Sequence, residues 1–415
     1  MTPQAQHHWK SALLAAAVTM ALLAAGQQIG TDTPEAHPPL TTYRCTKSGG
    51  CVAQATSLVL DWHYRRVHTA AGASCLTSDG RLNASLCGSS DACYANCFVE
   101  GIPSYAAAGV TTNGDALTLR QYMPAANGSV SKAAPRVYLL DAAGRDYADL
   151  RLLGQEISFD FDASALPCGE NGALYLSAMS ATGGRSATNP GGAAYGAAYC
   201  DAQCPVIPWF NGSVNTAGAG FCCDEMDLME GNGVAQAFTP HPCVAPGAGT
   251  DGCDKAGCGF NPYGQGAPGF YGPGKTLDSM RPFTVTTRFL PGADGALATI
   301  ERVYTQDGRT LASARSGQDA ITTTWCAAQD GAAAANGGLP VMGEALARGM
   351  VLIFSIWNDP GQDMNWLDSG DAGPCNASDG DPATIEQQTP GTHVVFSNIR
   401  WGDIGSTTGN RTSRA

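Results

Sequence analysis

The chain has 415 residues, with 23 Lys and Arg against 36 Asp and Glu and a formal net charge of −13; only five residues are Lys, and there is no basic run. That balance excludes a nucleic-acid-binding surface. It leaves an acidic, soluble chain long enough for one large domain or two ordinary ones.

At the N-terminus, Lys10 with His7 and His8 makes a weakly basic start. Leu13 to Ala25 is an apolar run too short for a membrane span. Ala24 and Gly26 supply small residues before a cut at Gln27, so residues 1–26 read as a secretory signal peptide. The mature chain is expected to be extracellular, with no membrane attachment. All 16 cysteines lie beyond residue 44, and their even number allows eight disulfides in an oxidising compartment. Zinc is the competing reading of clustered cysteines. No Cys-x-x-Cys pair occurs and only His241 lies close to a Cys cluster, so neither metal nor cofactor is expected. The sequons at Asn83, Asn127, Asn211, Asn376 and Asn410 are glycosylation candidates in keeping with export.

Strand patterns then recur between abundant Gly and Pro. Trp62, Tyr64 and Arg66 alternate as if on one strand face. Ile157, Phe159 and Phe161 alternate with Ser158, Asp160 and Asp162. Asn171-Gly172 predicts a hairpin turn leading into a strand over Ala173–Met179. Phe283–Leu290 alternates again, and Ile300–Thr305 leads to a second hairpin signal, Asp307-Gly308. Met342–Arg348 reads as a short helix. Met350–Trp357 and Val394–Trp401 are rich in β-branched and aromatic residues, and Thr407–Ala415 is a polar, fraying end. The pattern predicts an all-β sandwich of two large antiparallel sheets with long loops. No repeat or low-complexity linker divides it, and cysteines at both ends of the body (Cys45 and Cys375) argue for one continuous domain.

The densest chemistry lies in Phe221–Asn232, where a vicinal Cys222-Cys223 pair precedes Glu225, Asp227 and Glu230. Two carboxyls flanking one bond are what glycoside hydrolysis needs. Residues i and i+2 of a strand share a face, so Glu225 and Asp227 do. Glu230 has the wrong parity unless a bulge lies between Asp227 and Glu230. A solvated acidic turn is the competing reading; the apolar Met226, Leu228 and Met229 favour an anchored strand.

This segment resembles the active-site strand of glycoside hydrolase family 7, the fungal cellulases, with the pattern Cys-Cys-x-Glu-Met-Asp-(Ile/Leu)-x-Glu-x-Asn. Further matching stretches are Thr41–Ala53, Leu166–Tyr175, Tyr199–Pro205, Thr239–Cys243, Gly257–Tyr263 and Met350–Gly405. Gly169-Glu170-Asn171-Gly172, Asn261-Pro262-Tyr263-Gly264 and Asp371-Ala372-Gly373-Pro374-Cys375 resemble the endoglucanase I branch. The resemblance implies a concanavalin-like β-jelly roll over residues 27–408, and retaining hydrolysis of β-1,4-glucan by a monomer. It assigns Glu225 as nucleophile, Glu230 as general acid/base and Asp227 as the acid that supports the nucleophile. It also implies that Tyr64, Arg136, Asn171, Tyr175, Asp201, Gln203, His241, Trp357 and Trp366 contact the glucan. Trp357 and Trp366 would be platforms for sugar rings, with core Trp as the bland reading. Arg66 stands where the family commonly has Trp, at the distal end of the cleft.

The resemblance also implies the pairs Cys45–Cys51, Cys75–Cys97, Cys87–Cys93, Cys168–Cys375, Cys200–Cys223, Cys204–Cys222, Cys243–Cys253 and Cys258–Cys326. The Cys200 and Cys204 bridges would clamp the catalytic strand. Only nine residues separate Cys243 from Cys253, and Gly264 stands where the family's cellobiohydrolases have Arg, so an open cleft and endo cleavage are expected. A reducing-end cellobiohydrolase is the alternative within the family. A glycan-binding jelly roll without catalysis is the alternative outside it. Residues 409–415 read as a tail without a carbohydrate-binding module.

Overall fold

The computed structural model describes residues 28–125, 128–210, 213–249, 251–313, 319–329 and 331–408. The expected signal peptide, the tail and the sequons at Asn127, Asn211 and Asn410 lie outside the described residues. Asn376 is exposed and Asn83 half-buried.

Two sheets form a sandwich. The first runs Gln236–His241, Glu225–Gly231, Glu170–Ser177, Met350–Asn358, Arg136–Leu140, Ser57–Leu60, with the short Asp149–Leu150 also pairing with Met350–Asn358. The second is built around Leu297–Gln306, Phe283–Pro291, Gln155–Asp162 and His393–Asp403. Period-2 alternation sends Phe159, Phe161, Phe289 and Phe396 of the second sheet inward. They meet Leu174, Leu176, Met226, Leu228 and Phe354 of the first in one buried cluster. The other face of the first sheet carries Tyr138, Ala173, Tyr175 and Ile353 and faces the cleft side.

Most strand expectations hold in place. The Asp307-Gly308 turn joins Leu297–Gln306 to Arg309–Leu311 with φ of 51° and 73°, as a tight hairpin requires. The Met342–Arg348 helix exists and starts earlier, at Gly338. All eight disulfides form with the expected partners.

Two expectations fail. Asn171-Gly172 is not a turn but lies within the Glu170–Ser177 strand, Asn171 paired with Trp357 and Gly172 paired on both sides. Gly172 is there because the sheets approach closely: a Cβ on it would sit 2.8 Å from Val394 Cγ2. Trp62, Tyr64 and Arg66 do not alternate on a strand either. Asp61 accepts a hydrogen bond from His63 N and starts a 3-10 turn over Trp62–Tyr64. That turn buries Trp62, exposes Tyr64, and turns Arg66 away to an ion pair with Asp32 at 3.0 Å.

Candidate active site

The three acids lie on Glu225–Gly231, the second strand from one edge of the first sheet. On one side Glu225, Asp227 and Glu230 pair with His241, Thr239 and Ala237; on the other they pair with Ser177, Tyr175 and Ala173. The register slips once between Asp227 and Glu230. Leu228 and Met229 both point into the core and are fully buried, which breaks alternation and returns Glu230 to the face of the other two acids. The predicted bulge is therefore present.

These residues line a cleft of about 1210 Å³ that crosses the sheet. Tyr64 follows the opposite edge strand, Ser57–Leu60, so the cleft runs nearly edge to edge. Arg136, Tyr175, Asp201, Gln203, His241, Trp357 and Trp366 line it with Tyr64 and the acids. The rings of Trp357 and Trp366 stack with centroids 6.1 Å apart and planes at 27°. Arg66 is not part of the lining. Asn171 is not either: it is fully buried beneath Glu230. Its Nδ2 donates to Glu230 Oε1 at 2.9 Å, and its Oδ1 accepts from Gly231 N at 2.9 Å. The residue expected to touch glucan instead holds a carboxyl.

Each acid has a different partner. Glu225 Oε2 accepts from the Ala202 backbone N–H at 3.0 Å. Asp227 Oδ2 lies 2.9 Å from His241 Nε2, while His241 Nδ1 donates to the Asp254 carbonyl at 2.8 Å. Both ring nitrogens thus face oxygen, which favours the imidazolium. Burial opposes that charge, but the hydrogen bond and charge of Asp227, with the charge of Glu225, overcome it and raise His241 to about 10. Glu230 is raised to about 8, first by burial and then by the charge of Asp227. Burial and the charges of Asp227 and Asp201 push Glu225 up as well. The protons belong to the cluster. Each acid accepts one neutral amide N–H, Glu225 from the Ala202 backbone and Glu230 from the Asn171 side chain, and each bond works against the raised pKa of its acceptor.

A second network supports the cleft wall. Tyr199 Oη donates to Asp201 Oδ2 at 2.6 Å and lies 3.0 Å from Tyr175 Oη. The Arg136 guanidinium stacks 3.5 Å over the Tyr199 ring and pairs with Asp61 at 2.7 Å. Burial alone would raise Asp61, but Arg136 and His63 hold it well below the usual carboxylate range. Gln203 Nε2 donates to the Lys255 carbonyl at 2.7 Å on the rim. Tyr199 and Asp61 escaped the sequence reading. Tyr199 begins a matched stretch, Tyr199–Pro205, and its adjacency to Cys200 and Asp201 was the available signal.

The model for Glycosyl hydrolase family 7 matches residues 29–408. The chain belongs to glycosyl hydrolase family 7. It is 56% identical over 399 residues to Endoglucanase EG-1 of Hypocrea jecorina, covering 95% of this chain and 84% of that protein. Its structure is similar to the native endocellulase EGI of Humicola insolens, with a TM-score of 0.86, 43% identity, and coverage of 92% of this chain and 100% of that one. A family 7 cellobiohydrolase of Daphnia pulex is similar at 34% identity, with a TM-score of 0.83 over 92% of this chain and 100% of that one. Family membership carries the β-jelly-roll architecture and the glycoside hydrolase activity of the cleft.

Proposed function

We propose that this chain is a secreted endo-β-1,4-glucanase that cuts internal bonds of cellulose and related β-glucans with retention of configuration, through one catalytic domain over residues 27–408. The observation that carries the reading is the bulge that sets Glu225, Asp227 and Glu230 on one face of a long cleft. Glu225 attacks the anomeric carbon and forms the glycosyl-enzyme. Glu230 gives its proton to the leaving oxygen, then takes one from the water that releases the sugar. The raised pKa of Glu230 keeps that proton in place at mildly acidic pH. Asp227, paired with His241, supports Glu225 through its charge.

Two observations favour endo action. Tyr64 and Trp366 keep 39% and 41% of their surface exposed, so neither ring is roofed. The endoglucanase relative is also more similar in sequence than the cellobiohydrolase. An unroofed cleft engages a chain in its middle. Eight disulfides fit export into an oxidising compartment.

Viscosity of a soluble cellulose derivative should fall steeply with few reducing ends released. Steady cellobiose output with little loss of viscosity would select the cellobiohydrolase alternative. Glu225→Gln should remove hydrolysis and keep cello-oligosaccharide binding; full residual activity would reject Glu225 as nucleophile.

A further inference from the structure

Arg302 sits in the strand Leu297–Gln306 of the second sheet, on the side away from the cleft, and is fully buried in the sandwich core. A guanidinium there is costly unless something specific holds it. Its Nη2 donates to the carbonyl of Leu228, its Nε donates to Thr287 Oγ1 at 3.1 Å, and its plane lies 4.3 Å over the Phe238 ring. Burial works against its charge, and Tyr304 with the carboxylate of Asp319, its cross-strand neighbour, opposes that in part.

Leu228 is the residue at which the catalytic strand slips register. On one side Tyr175 pairs with Asp227 and the adjacent Leu174 pairs with Met229, so Leu228 is passed over. On the other side four residues, Asp227 to Glu230, oppose three, Thr239 to Ala237. A bulged residue loses its place in the ladder, and its buried carbonyl needs a donor from elsewhere. Arg302 supplies a charged donor from the opposite sheet.

We propose that Arg302 is a positioning residue: by holding the Leu228 carbonyl it fixes the bulge and so sets where Glu230 stands relative to Glu225. This rests on Glu230 being the general acid/base. Without the donor, the strand relaxes toward regular pairing, which turns Glu230 from the face it shares with Glu225 and Asp227.

The test separates protonation from the rest of catalysis. A leaving group that needs a proton, as in cellotetraose, depends on Glu230; an activated dinitrophenyl β-cellobioside does not in its first step. Arg302→Met should lower kcat on cellotetraose on the order of 100-fold, the scale of a 1 Å misplacement. It should lower the pre-steady-state burst on the activated substrate less than about tenfold, with KM little changed. Arg302→Lys, whose ammonium can still reach the carbonyl, should recover most of the loss. Thr287→Val, which frees the guanidinium at Nε, should lose in the same direction and less; it and Arg302→Lys decide the matter if Arg302→Met does not fold. Equal losses on both substrates in these variants, or unchanged kcat on cellotetraose, would overturn the inference. Glu230→Gln is the control: if it fails to discriminate between the leaving groups, the acid/base assignment falls instead.

Discussion

Glu170 offers a clean test of the electrostatics behind the cleft, because it lies outside the acid cluster. Its side chain is fully buried at the start of the strand that carries Asn171, Ala173 and Tyr175. One oxygen accepts from Thr392 Oγ1 at 3.0 Å; the other has no hydrogen-bond partner among the described residues. Burial raises its pKa from 4.5 to about 8, against the Thr392 hydrogen bond and the charge of Lys132. Such a carboxyl is neutral in the folded chain and ionised in the unfolded chain between those values. Its contribution to stability is complete below about pH 4.5 and lost as the pH rises through about 8. The interval corresponds to at most about 5 kcal/mol, at about 1.4 kcal/mol per pH unit. Glu170→Gln keeps the shape and cannot ionise. Relative to the wild type, the variant should gain up to that amount between pH 5 and pH 8.5, read as the change in unfolding midpoint in denaturant at each pH with disulfides intact. Activity should persist to higher pH in parallel, because Asn171 is the next residue and holds Glu230. A wild-type-to-variant difference that stays flat from pH 5 to pH 8.5 would refute a neutral buried Glu170.

Three further outcomes follow from the site. His241→Gln removes the imidazolium whose charge lowers both Glu225 and Glu230. The acid limb of kcat/KM should then move up by about 1–3 pH units, the usual effect of one close charge; an unmoved limb would mean that His241 is not charged in the free enzyme. Asn171→Ala should cut kcat on the order of 100-fold with little change in KM, and raise the basic limb, since its hydrogen bond lowers Glu230. A rise in KM at constant kcat would restore Asn171 as a substrate contact. Opening the Cys200–Cys223 bridge by Cys200→Ser with Cys223→Ser should cost about 2–4 kcal/mol. Because the bridge joins the residue before Asp201 to the strand of Glu225, activity should fall before the global unfolding midpoint does; turnover that survives while stability drops would show the clamp to be structural only.

What could be read in the chain was local. Alternation placed the strands, and the Asp307-Gly308 turn was visible because its chemistry is contained in two residues. The bulge was legible too, through the parity of Glu230 and the Leu228-Met229 doublet. Asn171-Gly172 misled for a physical reason: the same dipeptide that suits a tight turn also suits a strand whose glycine faces Val394 of the other sheet. Nothing within the strand distinguishes those cases. Asn171 itself was drawn to the site by resemblance, but a strand face says only which side a residue is on, not whether a neighbour's carboxyl reaches it before a ligand can.

Arg302 marks the limit more sharply. It lies 74 residues from Leu228 and occupies an inward position between the buried Ile300 and Tyr304 of its strand. On the sequence it is one more charge among 23 Lys and Arg. Its burial acquires meaning only when the sandwich closes and the second sheet is laid against the back of the catalytic strand. The cleft face of that strand then depends on the core face: the acids are presented by a backbone kink, and the kink's Leu228 carbonyl is held from behind by Arg302. A sandwich lets the sheet that never meets the glucan govern the spacing of the groups that do. Substitutions deep in the second sheet at Arg302 and Thr287 are therefore expected to alter proton transfer before they alter glucan binding.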